Sequence, residues 1–242
     1  MLILNIGMPR SGTLWRYKIV RDLVIAGGGI DGVEIRKKFF LNPFIGLPNA
    51  DLNTAKPKRL IPAAVPSFLG YTYVLNTHTG PTNLAVSMLK NGRMKAVYGF
   101  RDPRDCILSI LEYSQRSLPQ YSAHFLQVKN VKQAVSFMDI YIQAWKKWTQ
   151  LEETFIVQYE EMLNDYQSVI DRLIQYLELE ISPEQRDTIA STYLPRQKPK
   201  EDVRIHFSEG RANRFREKFT QEEQDYLLDR YQAVLEQMGY AA

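Results

Sequence analysis

The residues Leu2-Ile3-Leu4-Asn5-Ile6-Gly7-Met8-Pro9-Arg10-Ser11-Gly12-Thr13-Leu14-Trp15 run from an apolar stretch into a loop bounded by two glycines. A short buried strand, a glycine-bounded turn and a helix start, in that order, make a cradle for phosphate. The glycines let the backbone come close to a ligand, the loop N–H groups point inward, and the helix N-terminus adds positive potential. The spacing Gly7-x4-Gly12 fits a P-loop, yet Thr13 stands where a lysine would follow the second glycine. The cation, Arg10, lies inside the loop instead. That displacement argues against an ordinary ATPase or GTPase. A plain tight turn capping a helix is the bland alternative, and it does not account for both glycines together with the arginine.

Outward from this stretch, three more apolar runs read as core strands: Tyr71–Asn76, Lys95–Phe100 and Thr154–Gln158. Each precedes a segment of helical character, the pattern of a parallel sheet with helices on its faces. Helices are expected over Gly12–Ala26, Pro81–Lys90, Pro103–Gln115, Val131–Leu151, Tyr159–Leu177, Pro183–Ser191 and Gln221–Met238. Pro81, Pro103 and Pro183 suit first helical turns, where a missing N–H costs nothing. The fold class is therefore α/β, a P-loop-type three-layer fold with a central parallel sheet flanked by helices. Residues 27–70, with three successive glycines and five prolines, read as an irregular insertion on the substrate side. Residues 195–213, rich in Arg, Lys and Pro, read as a loop covering the ligand.

With 242 residues, the chain suits one domain over 1–242, long enough to bury a core without staples. Its 45% hydrophobic and 24% charged residues are those of an ordinary globular protein. A formal net charge of +4 fits an anionic ligand and is too small to argue for nucleic acid. Cys106 is the single cysteine, which excludes an intramolecular disulfide and a thiolate metal cluster. A first strand at the very start of the chain leaves no room for a secretory leader, and no apolar run reaches the ~20 residues of a membrane span. The expected location is cytoplasmic.

In open parallel sheets the ligand sits beyond the carboxyl ends of the strands. There the third strand delivers Phe100-Arg101-Asp102-Pro103-Arg104-Asp105-Cys106-Ile107-Leu108-Ser109. Arg101 would emerge at the sheet edge and Ser109 two helical turns later, a pair able to clamp a second phosphate. By itself the segment reads equally as a surface Arg–Asp pair. After the second strand comes His78, placed where an imidazole can accept a proton from an alcohol. His124 and His206 fall in polar, irregular stretches.

Two anion clamps and a base suggest a doubly phosphorylated donor, and here a family resemblance becomes explicit. Pro9-Arg10-Ser11-Gly12-Thr13-Leu14-Trp15 resembles the 5′-phosphosulfate loop of sulfotransferases, commonly Pro-Lys-Ser-Gly-Thr-x-Trp. Arg101 through Ser109 resembles that family's 3′-phosphate motif, and Thr77-His78 its Thr-His pair. The run Tyr159-Glu160-Glu161-Met162 and the segment Gly210–Thr220 are similar to the family's later motifs. The resemblance implies the donor 3′-phosphoadenosine-5′-phosphosulfate (PAPS), the product PAP and no metal. It implies that Arg10 contacts the bridging oxygen and sulfuryl group, that the loop residues Ser11, Gly12, Thr13 and Leu14 bind the 5′-phosphate end of the donor, and that Trp15 stacks on adenine near Thr192. Arg101 and Ser109 would take the 3′-phosphate with the backbone around Gly210 and Arg211, and His78 would be the general base.

The chain also departs from the family pattern. Arg10 replaces the usual Lys, Asn76 the Lys before Thr-His, and Ser208-Glu209 the Arg-Lys pair before Gly210; Arg211 or Arg214 would have to compensate. Glu34 is a rival base. A P-loop kinase or NTPase, with Asp102 as its magnesium ligand, and a non-catalytic PAPS- or PAP-binding protein are the competing readings. The acceptor class stays open among small molecules, glycans and lipids, with Phe39, Phe40, Phe44, Phe68, Tyr71, Tyr113 and Tyr121 as candidate cleft aromatics. Arg216-x3-Thr220-Gln221-x3-Asp225 distantly resembles a dimer motif, so both monomer and homodimer are open.

Overall fold

Leu2–Gly7 form strand β1, and all six residues are buried. A strand covered on both faces needs a continuous apolar run rather than alternation, which is what this sequence supplies. In the computed structural model, which describes residues 1–115, 127–195 and 210–241, β1 is joined by β2 (Tyr73–Thr77), β3 (Met94–Phe100) and β4 (Thr154–Gln158). The order is β2-β1-β3-β4, and every pairing is parallel. Burying Leu2, Ile3, Leu4 and Ile6 stabilises the strand by about 1.5–3 kcal/mol per side chain.

Helices flank the sheet. α1 (Thr13–Ala26) packs on β1 and β2, and α4 (Asn83–Lys90) on β3. α5 (Pro103–Gln115) lies against α6 (Val131–Thr149), and α6 reaches β4. α7 (Tyr159–Asn164), α8 (Tyr166–Leu177) and α9 (Pro183–Thr192) follow, then the short α10 (Phe215–Lys218) and the long α11 (Gln221–Met238). Ser182 and Thr220 close capping boxes with Gln185 and Glu223, which fixes where α9 and α11 begin. One apolar core runs from Leu2 to Met238.

The region 27–70 is not irregular as expected. It forms α2 (Gly32–Lys38) and α3 (Pro57–Phe68), the latter with Pro62 and Pro66 inside it. Burial of Leu60, Ala63 and Ala64 and the Tyr73 hydroxyl donating to the Ala63 carbonyl hold this proline-rich helix in place. Two smaller differences have local causes. Thr82 caps α4 through the Ala85 N–H, leaving Pro81 outside the helix. The helix expected over Tyr159–Leu177 breaks at Asp165, whose φ of −128° and ψ of 43° are not helical. His124, Tyr121, His206, Ser208, Glu209 and most of 195–213 lie outside the described residues.

Candidate active site

The register gathers three loops at one place. Gly7 sits beside Gly99 of β3, and Ile6 beside Thr77 of β2. The next residues on each strand are the loop at Met8, His78 and Arg101. Because β1 has β2 on one side and β3 on the other, the sheet order reverses here, the usual position of a ligand crevice.

The loop is tied from within. The Met8 carbonyl accepts from Ser11 Oγ at 2.8 Å, Thr13 Oγ1 at 3.1 Å and the Ser11 N–H at 3.3 Å. The hydroxyls of Ser11 and Thr13 are thus spent on the loop's own shape. The N–H groups of Gly12, Thr13 and Leu14 have no acceptor among the described residues, so they are the free donors at the helix N-terminus. Gly12 has φ 73°, and a Cβ there would stand 2.9 Å from the Tyr159 ring. Arg10 adopts φ 66° with a full side chain, a strained backbone of the kind found at functional sites.

Arg10 Nε donates to Ser109 Oγ at 3.0 Å, and its guanidinium lies 4.9 Å over the Tyr113 ring. Arg101 is 5% exposed. Its Nη2 donates to Asp105 Oδ2 and to the Arg211 carbonyl, both at 2.8 Å, and its plane lies 4.4 Å over the Tyr159 ring. Burial works against its charge, but Asp105 together with Cys106, Tyr159 and Glu160 outweighs this, so its pKa is raised and it stays a cation. Its Nε is buried without a partner among the described residues. Asp105, fully buried, also accepts the Phe215 N–H at 3.0 Å and so ties the segment after Gly210 to the site.

His78 Nδ1 lies 2.8 Å from the Gly7 carbonyl. A carbonyl only accepts, so Nδ1 carries a proton, and in the neutral ring the lone pair is at Nε2.

The other expected residues have their own surroundings. Glu34 is exposed on α2 and paired with Lys37 at 2.8 Å. Trp15 is 4% exposed, stacked on Tyr166 at 5.8 Å, with Nε1 donating to the Tyr193 carbonyl at 2.9 Å. It therefore packs as a core aromatic. Thr192 is exposed at the end of α9, its hydroxyl donating to the Thr188 carbonyl. Gly210 is buried with φ 61°. Arg211 offers Arg101 its carbonyl while its guanidinium pairs with Glu217, and Arg214 pairs with Glu112. Asp102 is 1% exposed and held by Arg104 through both oxygens. Of the candidate cleft aromatics, Phe40 and Phe68 face solvent at 84% and 58% exposure, and Phe39 packs on Tyr71.

Sequence reading missed Asn5, Arg16 and Asp105. Asn5 Nδ2 donates to Asn76 Oδ1 at 2.8 Å and to the Thr13 carbonyl at 3.2 Å, linking β1, β2 and the start of α1. Its Oδ1 accepts from Arg16 Nε at 2.9 Å. An asparagine in an otherwise apolar strand was the visible signal.

The chain matches the sulfotransferase domain family over residues 2–239. It is 24% identical to a 3-beta-hydroxysteroid sulfotransferase of Cavia porcellus over 196 residues, covering 77% of this chain and 62% of that protein. It is 25% identical to an amine sulfotransferase of Oryctolagus cuniculus over 191 residues, covering 75% of this chain and 57% of that one. The chain thus spans about six tenths of the length of these curated relatives. Among solved structures, a mouse sulfotransferase complexed with PAP superposes with a TM-score of 0.61 at 14% identity, over 97% of this chain and 84% of that one. Retinol dehydratase in complex with androsterone and the inactive cofactor PAP gives 0.61 at 18% identity, over 97% and 80%. At these identities the likeness is one of fold.

Proposed function

This chain belongs to the sulfotransferase domain family, and from that premise we propose that it transfers a sulfuryl group from PAPS to the hydroxyl or amine of a small molecule. The observation that carries the reading is the set of donors at adjacent strand ends: loop N–H groups and an Arg101 Nε that have no partner among the described residues, with Arg10 joining the loop to Ser109. These fit a ligand with phosphate at both ends. When bound, PAPS supplies a sulfuryl group whose bond to the bridging oxygen is the one that breaks.

Each residue then has a defined task. The N–H groups of Gly12, Thr13 and Leu14 hold the 5′-phosphate with the field of α1 behind them. Arg10 neutralises charge building on the departing phosphate; as a guanidinium it does so by charge and hydrogen bonding, not by giving up a proton. Arg101 and Ser109 hold the 3′-phosphate. His78 Nε2 takes the acceptor's proton as the new bond forms, and the imidazole is held in the right tautomer by the Gly7 carbonyl. Trp15 acts by fixing α1 against α8 and α9.

The kinase reading has Asp102 as its metal ligand, and the engagement of both Asp102 oxygens by Arg104 speaks against it. The acceptors named for the relatives, a hydroxysteroid and an amine, set the first panel to test. A cytoplasmic location goes with this reading; no helix among the described residues is long and apolar enough to cross a membrane. Transfer of radiolabelled sulfate from PAPS to hydroxysteroids, phenols and amines tests it: a labelled product that is lost in Arg10→Ala is expected. Donor binding without transfer to any acceptor would favour a non-catalytic binder.

A further inference from the structure

Arg16, on the first turn of α1, points under the loop rather than to solvent and is 1% exposed. Its Nε donates to Asn5 Oδ1 and its Nη2 to the Ile6 carbonyl. Among the described residues no carboxylate meets it. A buried cation without a counter-charge costs several kcal/mol and is rarely kept without a reason. Burial pulls its pKa down to about 9, which still leaves it charged at neutral pH.

The backbone around it is cut to fit. A Cβ on Gly99 would stand 1.6 Å from Nη1 and 2.3 Å from Cζ of Arg16. A Cβ on Gly7 would stand 2.8 Å from Arg16 Nη2 and 2.8 Å from Thr13 Oγ1. The guanidinium therefore fills the space between Gly7 and Gly99, where β1 runs into the loop. Glycines in the interior or at the end of a strand mark a close approach, and here the approaching group is this cation.

We propose that Arg16 is an electrostatic positioning residue whose missing counter-charge is supplied by the anionic group bound in the loop above it. It does not touch the ligand. It acts through Asn5 and the loop backbone, holding the turn and placing a positive charge behind the loop N–H groups in a water-free setting, where its field is weakly screened. This deepens the proposed donor site and rests on that reading for the identity of the natural anion, but not for the presence of one.

The test compares wild type, Arg16→Gln and Arg16→Lys by calorimetric titration with three probes: adenosine 3′,5′-bisphosphate, adenosine 3′-monophosphate and inorganic pyrophosphate. Arg16→Gln should weaken the bisphosphate and pyrophosphate about 10- to 100-fold and change the 3′-monophosphate less than about twofold, and Arg16→Lys should restore most of the loss. Equal losses for all three probes would mean a structural role alone and overturn the proposal, as would unchanged affinities or no pyrophosphate binding by the wild type. Wild type that binds pyrophosphate with the Arg16 dependence, yet fails to bind the bisphosphate, supports the role of Arg16 and counts against the donor assignment. Should Arg16→Gln not fold, the Arg16 Nε–H resonance of the wild type, assigned by its loss in Arg16→Lys, reads the same coupling. A shift on adding pyrophosphate supports the proposal; an unmoved resonance overturns it.

Discussion

Arg10 Nε donates to Ser109 Oγ at 3.0 Å across 99 residues of sequence. The arginine of the glycine-bounded loop thus meets a hydroxyl on α5. The Ser109 hydroxyl accepts from Arg10 through a lone pair and keeps its own O–H to donate, so one side chain can serve Arg10 and a bound phosphate together.

Arg10→Ala should lower sulfate turnover by at least about 10²-fold, the scale for deleting a donor that stabilises developing negative charge. Ser109→Ala should mainly raise the KM for the donor, by about tenfold, with a smaller effect on kcat. Steady-state kinetics with labelled donor separate the two.

His78→Ala should reduce kcat about 10²- to 10⁴-fold while leaving affinity for adenosine 3′,5′-bisphosphate within about threefold, because a general base is lost and no phosphate contact is. Glu34→Gln, at an exposed carboxylate paired with Lys37, should leave kcat within about twofold. The opposite pattern in the two variants would move the base to α2.

Gly99→Ala should destabilise the protein by about 3 kcal/mol or more, since the new methyl falls on the Arg16 guanidinium. Combining it with Arg16→Met should recover part of that loss, giving a coupling of about 1–3 kcal/mol in a denaturant double-mutant cycle. Additive effects would show that the two residues do not share the space.

Glu160 is half-buried on the first turn of α7, one carboxylate oxygen accepting from the Tyr240 hydroxyl at 2.6 Å and the other buried without a partner among the described residues. Burial raises its pKa above the ordinary carboxylate value. The folded state therefore holds this proton at pH values where the unfolded chain has released it, and stability falls as pH rises from the ordinary value through the raised one. Glu160→Gln should remove that slope, seen as a flatter dependence of Tm on pH above the acid range.

Much of this was legible in the chain because it rests on local rules. Four apolar runs became four parallel strands, and α5 and α11 have the bounds their prolines, caps and periodicity indicate. The insertion was misread because Pro62 and Pro66 are helix breakers by local rules, whereas α3 is held by Leu60, Ala63 and Ala64 against the core. Within the site, Arg10, Ser109, Arg101 and His78 converge because they follow adjacent strands. Arg16 was hidden because an arginine on a helix ordinarily faces water; its placement depends on Gly99, 83 positions away in number and adjacent only through the β1–β3 register. The stacking of Trp15 on Tyr166 follows from where α8 packs, which no local pattern reports.

The most direct test of the central claim is a crystal structure of the full chain with adenosine 3′,5′-bisphosphate. The 5′-phosphate is expected on the N–H groups of Gly12, Thr13 and Leu14, the 3′-phosphate on Arg101 and Ser109, and the Arg10 guanidinium against the 5′ end. A nucleotide bound with its 3′-phosphate away from Arg101 and Ser109, or with the Gly7–Thr13 loop empty, would contradict it.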